Sequence, residues 1–474
     1  MVVTCAIEFD NNSYGTYFAG QVMTGKVTLQ ADMPKQVKAI VLKISGCADT
    51  SWTESSTSTT SDANGRSSTQ TQTTHYRGHE DYIKSKTYLL SSNEIYPNIS
   101  PTDQSAVIEP GIHTYTFACL LPNTCPSSFE GIYGYIRYLT RVELVRPWKF
   151  NQNFTRGFTV LKMTDLNYDS PLLRVPSKSE AQKVFCCGPC KTQPLEVHVS
   201  LPQSGYVPGQ AIPVSVLISN ETKIKVEELK IELVMLVCYY SQTPSTRTKN
   251  QRIPVLKLKG DGVPVHCKKQ FNYTLIVPAT PPTCFNLCRI IQIAYQVEVV
   301  TKVKGWHADQ VICVPVTIGN VPLLGVIQKQ PMASADNFVP NGSGVMNRSF
   351  VANEESGDAG DAGEKKSTEA NQVQSTVQED PTEINNGAAT SSVITPAPPN
   401  PWDADASIPP PSYESALHIK PAKLNLDEGQ EYGETEFAPR YPVFKVPSPS
   451  ASGKDEVDGV ATSGVSPAQN STWL

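Results

Sequence analysis

Residues 133–144 read Tyr-Gly-Tyr-Ile-Arg-Tyr-Leu-Thr-Arg-Val-Glu-Leu, a run rich in aromatic and β-branched side chains in which apolar residues alternate with charged ones. Such a run is typical of a half-buried β-strand, and Gly131 before it supplies a turn residue. No stretch of the chain shows a sustained 3.6-residue apolar period with helix caps at both ends. The run therefore favours an all-β fold.

The same pattern occurs in two blocks, residues 1–165 and 191–325. Short strand-like runs separated by Gly and Pro turns indicate a sandwich or barrel in each block. The runs are 5–9, 22–29, 37–45, 114–121, 133–144 and 155–161 in the first block, and 195–201, 211–219, 226–240, 271–277, 289–303 and 310–318 in the second. We predict two β-sandwich domains with a linker over residues 166–190.

Two stretches depart from this pattern. Residues 49–74 are almost entirely Ser, Thr, Gln, Asn and Gly, too little apolar surface to offset the entropy of ordering them. We expect a mobile loop inserted in the first sandwich. Residues 326–474 are Pro-rich and acidic with sparse aromatic residues, which predicts a disordered C-terminal tail.

Charge is divided between the two parts of the chain. Residues 331–474 hold 21 acidic and 8 basic residues, although the whole chain has a net charge of only −5. The tail is therefore near −13 and the body near +8. A basic body can lie beside an anionic membrane surface. The alternative is an ordinary surface that the tail partly screens.

The N-terminal residues show no signal-peptide pattern, and no window is long and apolar enough to span a membrane. We therefore expect a cytoplasmic protein with its 12 cysteines reduced. A secreted adhesive β-sandwich remains an alternative, which glycan on the sequon at Asn98 would favour.

Several segments resemble the arrestin-domain-containing proteins, the α-arrestins. Leu-Pro-Asn-Thr-Cys-Pro-Ser-Ser-Phe-Glu-Gly is similar to that family's LPxxLPSSFEG segment, with Cys125 in place of an apolar residue. Gly-Tyr-Val-Pro-Gly-Gln is similar to its GYxPGE turn, with Gln210 in place of Glu. The similar segments are 121–131, 134–148, 205–210 and 318–323. They occur in the family's order and together extend the resemblance over residues 1–325.

The resemblance implies two arrestin-type Ig-like β-sandwiches and a non-catalytic adaptor. Such adaptors connect membrane receptors or transporters to HECT-type ubiquitin ligases that carry WW domains. Ubiquitination, endocytosis, protein transport and endosomal sorting or degradation of the cargo follow from that connection. The resemblance also implies a peripheral location at the plasma membrane and endosomes.

One tail motif has a direct binding mechanism. Pro410, Pro411 and Tyr413 form the sequence PPxY. Consecutive prolines hold a polyproline II helix before binding, and WW domains present an aromatic groove that accepts it. Tyr413 would fill the neighbouring pocket. We expect this motif to bind a WW domain; the alternative is a spacer that binds nothing.

A second, degenerate motif follows in the tail. Ala438-Pro439-Arg440-Tyr441 lacks the first proline of PPxY, so we expect a weaker site or none. If Pro439 and Tyr441 do bind, two motifs on one tail would engage a ligase with several WW domains with greater avidity.

Metal and catalytic sites are weakly indicated. Cys187 and Cys190 have a zinc-ligand spacing, and Cys284 and Cys288 could supply a second pair. The alternatives are exposed linker thiols, palmitoylation or core packing. No nucleophile elbow, metalloprotease, phosphate-loop or dinucleotide motif occurs. We therefore expect no enzyme activity, no cofactor and no nucleic-acid partner.

Two other adaptor functions remain open from the sequence. A redox or metabolic scaffold would pair with thioredoxin-like partners through one of the cysteines. A coat-like cargo-sorting protein would not need PPxY at all.

Overall fold

A computed structural model describes residues 3–10, 12, 14–61, 67–91, 106–185, 193–324, 410–416, 418–424, 430–434 and 436–445. These residues form 25 strands, β1 to β25, and one short 3₁₀ turn at Pro171–Arg174. Two sandwiches confirm the fold class that the sequence predicts.

The first sandwich is formed by residues 3–161. Its two main sheets have the strand orders β1-β3-β8 and β2-β11-β10-β5-β6, β9 pairs with β10, and β4 and β7 form a small sheet at one end. The strands are β1 Val3–Phe9, β2 Thr16–Phe18, β3 Val22–Ala31, β4 Lys35–Val37, β5 Ala39–Ser61, β6 Ser67–Ser91, β7 Ala106–Ile108, β8 Gly111–Leu120, β9 Phe129–Glu130, β10 Gly134–Val145 and β11 Gln152–Leu161.

The second sandwich repeats this architecture over residues 177–318. Its sheets have the orders β12-β13-β15-β18 and β14-β20-β19-β16-β17. The strands are β12 Ser177–Lys183, β13 Leu195–Leu201, β14 Gly205–Tyr206, β15 Ala211–Asn220, β16 Val226–Tyr240, β17 Thr248–Val263, β18 Cys267–Ile276, β19 Ile291–Val303 and β20 Gln310–Ile318.

Period-two patterning explains why these segments are strands with one buried face. Along β13 and β20 every second residue is buried and the residues between are partly or fully exposed. Aromatic residues fill the first core, where Tyr138 and Phe158 are fully buried with ring centroids 5.8 Å apart. The Tyr138 hydroxyl donates a hydrogen bond to the Pro126 carbonyl oxygen at 2.7 Å, which satisfies the buried phenol.

The expectation of a mobile loop over residues 49–74 is wrong for the described part of that stretch. β5 and β6 pair in register to Ser61↔Ser67, with residues 62–66 outside the described chain. Threonine has a high strand propensity, and the stacked rings of Trp52 and Tyr76 reinforce the base of this hairpin. Cross-strand pairing therefore orders a sequence that cannot form a core of its own.

The linker prediction for residues 166–190 also needs correction. β12 pairs antiparallel with β13 along seven residue pairs, so residues 177–183 belong to the second sandwich. The remaining connection is fixed by Asn320, whose amide Nδ2 donates to the Lys162 carbonyl oxygen at 2.7 Å while its Oδ1 accepts from the Thr164 N–H at 2.7 Å.

The β5–β6 hairpin also joins the two sandwiches. The Thr50 hydroxyl donates to the Tyr240 carbonyl oxygen at 2.7 Å. Arg289 donates from Nε to the buried Glu80 carboxylate at 2.6 Å. Both contacts connect a strand of the first sandwich with residues at the edge of the second, so the hairpin base forms part of the domain interface.

Five short strands lie in the C-terminal tail and contact the body. They are β21 Ser412–Ser415, β22 Ala422–Lys423, β23 Gln430–Gly433, β24 Glu436–Phe437 and β25 Arg440–Val443. β21 pairs with β25, β22 pairs with β24, and β23 adds to the edge of β11. We call the described residues between 410 and 445 the docked segment.

Candidate functional site

The PPxY motif lies at the start of the docked segment, on the surface of the body. Pro410 is exposed, while Pro411 and Tyr413 are half-buried. The Tyr413 ring lies 6.3 Å from the Tyr14 ring and packs against a small apolar cluster at the junction of the two sandwiches. One face of the motif is therefore covered by the body in this arrangement.

The structure brings the two candidate motifs together. β21 and β25 are antiparallel, with Tyr413 opposite Pro442 and Glu414 opposite Tyr441. A WW domain reads an extended proline-rich segment through its side-chain faces, so a WW domain bound here would compete with this pairing and with the body for the same residues. The two motifs restrain each other as long as the strands are paired.

Tyr441 is the most deeply buried residue of the docked segment. Its side chain is fully buried, and its hydroxyl donates to the Ser128 carbonyl oxygen at 3.0 Å. Pro439 is also buried. The degenerate motif therefore serves as a packing contact here, and its binding to a WW domain stays a prediction that requires the docked segment to leave the body.

Tyr441 occupies a satellite core formed by both sandwiches and the connection between them. Burial of its ring raises the pKa of the phenol well above its usual value, so the hydroxyl remains a hydrogen-bond donor. We call this satellite core the tail pocket. Its buried apolar residues, including those that the tail contributes, are Phe18, Leu161, Leu166, Leu173, Val207, Leu323, Ala416, Tyr441 and Phe444. The tail thus completes a core that the body alone leaves open.

Two glycines of the body give the tail its close approach. A Cβ atom at Gly157 would lie 2.3 Å from the Phe437 ring, so only glycine allows that ring to lie flat on β11. Gly209 has φ +89° and faces the Phe444 carbonyl oxygen, and the Phe444 N–H donates to the Pro208 carbonyl oxygen at 3.0 Å. The docked segment contacts the first sandwich at one glycine and the second sandwich at the other.

β11 offers an edge that two strands share. β2 pairs in parallel with Thr159–Leu161, and β23 pairs in parallel with Gln152–Thr155. Tyr432 of β23 stacks on Phe154 with ring centroids 5.2 Å apart. Beyond β23, the Glu434 carboxylate accepts from the Gly157 N–H at 3.0 Å. The tail therefore covers an edge that would otherwise be available for pairing with another chain.

His418 is a half-buried titratable group between β21 and β22. Its Nε2 lies 3.5 Å from the Thr280 hydroxyl, and its Nδ1 is buried without a hydrogen-bond partner among the described residues. Burial lowers the pKa of this imidazole to about 4. The docked arrangement therefore favours neutral His418.

The docked segment is a set of short strands within the tail that the sequence does not predict, while the rest of 326–474 lies outside the described chain. Sequence reasoning missed the docking because each tail aromatic is isolated among polar residues. Tyr432, Phe437, Tyr441 and Phe444 recur within thirteen residues of an acidic tail. That recurrence was the signal in the sequence for docking, since a disordered tail that contacts only solvent does not need closely spaced aromatic rings.

The candidate zinc ligands are not assembled by the described residues. Cys284 and Cys288 are buried, and Cys187 and Cys190 lie outside the described chain. Burial raises the pKa of the Cys288 thiol to about 12, and its sulfur accepts from the Ile291 N–H at 3.2 Å. Among described residues, no group of three or more His, Cys, Asp or Glu side chains could hold a metal ion.

The described thiols also bear on the redox alternative. Burial raises the pKa of both the Cys5 and the Cys47 thiols to about 12. Cys313 is exposed, yet desolvation also raises its thiol pKa. A reactive cysteine needs a lowered pKa, so no observation on these thiols favours a thioredoxin-like partner.

No helix of the described chain has the length and apolarity to cross a membrane.

Comparison with known families matches both sandwiches. Residues 5–167 match the arrestin (or S-antigen) N-terminal domain, and residues 191–323 match the arrestin (or S-antigen) C-terminal domain. Together these matches cover more than half of the chain. The second begins after β12, so the structure extends that sandwich beyond the matched residues.

Curated relatives carry the same domain name. Arrestin domain-containing protein 17 of Caenorhabditis elegans is 27% identical over 452 residues, which cover 92% of this chain and 97% of the relative. Human arrestin domain-containing protein 4 is 26% identical over 330 residues, 68% of this chain and 73% of the relative. Human arrestin domain-containing protein 1 is 27% identical over 212 residues, 44% and 47% respectively.

Proposed function

Since this chain belongs to the arrestin family, as an α-arrestin of the arrestin domain-containing type, we propose that it recruits WW-domain ubiquitin ligases of the HECT class to membrane cargo. The two sandwiches recognise a receptor or transporter, and the tail brings the ligase. Ubiquitinated cargo then enters endocytosis and endosomal sorting or degradation. The protein acts at the cytoplasmic face of the plasma membrane and of endosomes.

The position of the PPxY motif carries this proposal. Pro410 is exposed and Tyr413 is half-buried in a short strand that pairs only with another tail strand. β21 can leave the body without breaking a sheet of either sandwich, because no strand of either sandwich pairs with β21 among the described residues. Ligase binding therefore leaves both sandwiches intact.

Docking adds a control step to recruitment. A WW domain needs the proline faces and the Tyr413 ring, whereas the body covers part of both. The ligase consequently binds the open fraction of the chain, and its apparent affinity falls in proportion to that fraction. Cargo or membrane contacts that displace the docked segment would increase ligase recruitment.

The test is a titration of the full-length protein with an isolated WW domain, alongside ligase capture from cells. Tyr413→Ala is expected to weaken binding at least about tenfold, or about 1.4 kcal/mol. Tyr168→Ala is the matched control, since it removes a tyrosine that is 92% exposed and lies outside the docked segment. Equal binding by wild type and Tyr413→Ala rules out this anchor.

Cargo ubiquitination supplies a second readout. In cells, Tyr413→Ala should retain cargo association through the sandwiches and lose ubiquitination of the associated cargo. Loss of both would indicate that the tail, rather than the body, carries cargo recognition. Ubiquitination that persists in the variant would favour a coat-like sorting function without ligase recruitment.

A further inference from the structure

One end of the first sandwich holds an open, positively charged cavity of about 640 Å³. The β3–β4 turn, the exposed residue Val107 of β7 and the β10–β11 turn surround it. Lys35, Arg146 and Lys149 line this cavity, and Asp32 is the one acidic residue among its lining residues. We call these lining residues and the adjoining β10–β11 turn the cationic end. It lies outside the docked segment and its tail pocket.

The cations of this end lie close enough to repel one another. Partial burial lowers the pKa of Lys35, and the charges of Arg146 and Lys149 lower it further. Lys35 Nζ donates to the neutral Gln152 amide oxygen at 2.6 Å, and Arg146 Nε donates to the Phe150 carbonyl oxygen at 2.7 Å. These two acceptors orient the Lys35 and Arg146 side chains. An anion entering the cavity would relieve the repulsion.

Large apolar side chains project beside these cations. Trp148 is 98% exposed, Phe150 is 75% exposed and Met33 is 55% exposed. Single exposed apolar residues are ordinary, but three of them next to a cationic cavity are a patch that predicts an interaction surface. All three belong to turns at the same end of the sandwich.

The backbone of the β10–β11 turn presents Trp148 at some cost. Trp148 has φ +57°, a left-handed conformation that is strained for a non-glycine residue. The turn is held by the Arg146 N–H, which donates to Asn151 Oδ1 at 3.3 Å, and by Asn151 Nδ2, which donates to Glu143 at 2.8 Å. The surrounding hydrogen bonds therefore fix an indole outside the fold.

We propose that the cationic end docks on an anionic membrane, with a phosphorylated lipid headgroup in the cavity and Trp148, Phe150 and Met33 in the interfacial layer. Tryptophan favours the membrane–water interface because its ring has an apolar body and a polar N–H. Basic residues near an anionic leaflet each strengthen membrane binding about fivefold. Lipid supplies both the phosphate and the apolar layer, whereas a soluble phosphate supplies only the first.

This docking does not rest on ligase recruitment. It places the N-terminal sandwich against the bilayer that holds the cargo, and it predicts that Tyr413→Ala leaves membrane binding unchanged. The two proposals can therefore fail separately.

The test is co-sedimentation of the full-length protein with vesicles of phosphatidylcholine alone, with added phosphatidylserine, or with added phosphatidylinositol bisphosphate. We expect binding to the anionic vesicles, strongest with the bisphosphate and reduced by salt. Trp148→Ala with Phe150→Ala should weaken it about tenfold or more, and Lys35→Gln with Lys149→Gln by a similar factor. Tyr168→Ala is the matched control: Tyr168 is 92% exposed between Asp165 and Asp169 and should have no effect.

The depth to which the Trp148 side chain enters the bilayer provides a second measurement, whose result a folding defect would not reproduce. Lipids with brominated acyl chains should quench the intrinsic tryptophan fluorescence, and Trp148→Phe should remove most of that quenching. Wild-type binding by the aromatic or the charge variant would overturn the proposal and place membrane contact elsewhere, for example at the exposed Trp306. Binding of soluble inositol trisphosphate without vesicle binding would also overturn it, since the ligand would then be a free phosphate.

Discussion

The Tyr441 hydroxyl donates a hydrogen bond to the Ser128 carbonyl oxygen at 3.0 Å. Ser128 belongs to residues 121–131, one of the segments that resemble the α-arrestin pattern, and it also pairs through its N–H and hydroxyl with Val160 of β11. A segment that fixes the first sandwich therefore also receives the tail. Tail docking and the domain core share a residue, so the proposed ligase recruitment would depend on the state of the body.

Removing the Tyr441 side chain should open the docked segment. Loss of a fully buried aromatic ring costs about 3 kcal/mol. Because Tyr441 belongs to the docked segment, this loss reduces the free energy of docking rather than the stability of the sandwiches. We expect Tyr441→Ala to bind a WW domain more tightly than wild type and to expose the tail to limited proteolysis. Lys423→Ala, at an exposed tail position, should change neither. Unchanged proteolysis in Tyr441→Ala would contradict the docking.

Gly157→Val should displace the tail from the side of the body. A Cβ at this position would meet the Phe437 ring at 2.3 Å, and valine suits the extended strand at a site without positive φ. Hydrogen exchange should rise in residues 430–445 while the β10–β11 ladder stays protected. The double variant Gly157→Val, Phe437→Ala removes the clash and tests its cause. If its exchange in the remaining tail strands equals that of the single variant, the steric explanation is wrong.

Tail docking should weaken at acidic pH through His418. Burial lowers the imidazole pKa from 6.5 to about 4 in the docked state, so the released state binds a proton more readily. The contribution of neutral His418 to the free energy of docking is complete above about pH 6.5. It falls by about 1.4 kcal/mol for each pH unit as the pH decreases toward 4. The measurement is WW-domain affinity as a function of pH.

His418→Gln supplies the control for that pH dependence. It removes the titrating group, so the affinity should vary less between pH 6.5 and 4 than in wild type. An isolated tail peptide corrects for any effect of pH on the WW domain itself. A variant that keeps the whole pH dependence would assign it to another group.

A buried ion pair contributes to the stability of the first sandwich. Arg137 donates to the Glu130 carboxylate from Nε at 2.7 Å and from Nη2 at 2.8 Å, with both side chains almost fully buried. Arg137→Ala should lower the free energy of unfolding by about 3 kcal/mol, because Glu130 keeps a buried charge without its partner. Calorimetry of Arg137→Met with Glu130→Gln should show a smaller loss. Equal losses would show that packing, rather than the unpaired charge, sets the cost.

Local patterning predicted twelve of the twenty strands described in the two sandwiches, and non-local pairing explains the failures. β13 and β20 have the predicted bounds because their residues alternate between buried and more exposed positions, and β16 has them because it is a long apolar run with a continuously buried middle. β17 was missed because Pro254 and repeated lysines obscure its pattern, although a bulge near Leu233 accommodates the irregular pairing.

The candidate site was predictable in part for the same reason. The PPxY motif is contiguous, so its residues are found from sequence alone. Its restraint depends on Tyr14, Ser128 and Gly157, which lie hundreds of residues away and carry no local sign of a tail contact. The PPxY motif can therefore be identified from the sequence alone, whereas the residues that cover it can be identified only from the fold.

The affinity of one WW domain for the full-length chain, divided by its affinity for a peptide spanning residues 405–420, tests the restrained-motif account most directly. The peptide has the motif without the body, so it measures the open state. We expect the full-length chain to bind more weakly than the peptide, and Tyr441→Ala to restore the peptide's affinity. Equal affinity of peptide and wild-type chain would contradict the restraint, and no binding by either would contradict recruitment through Tyr413.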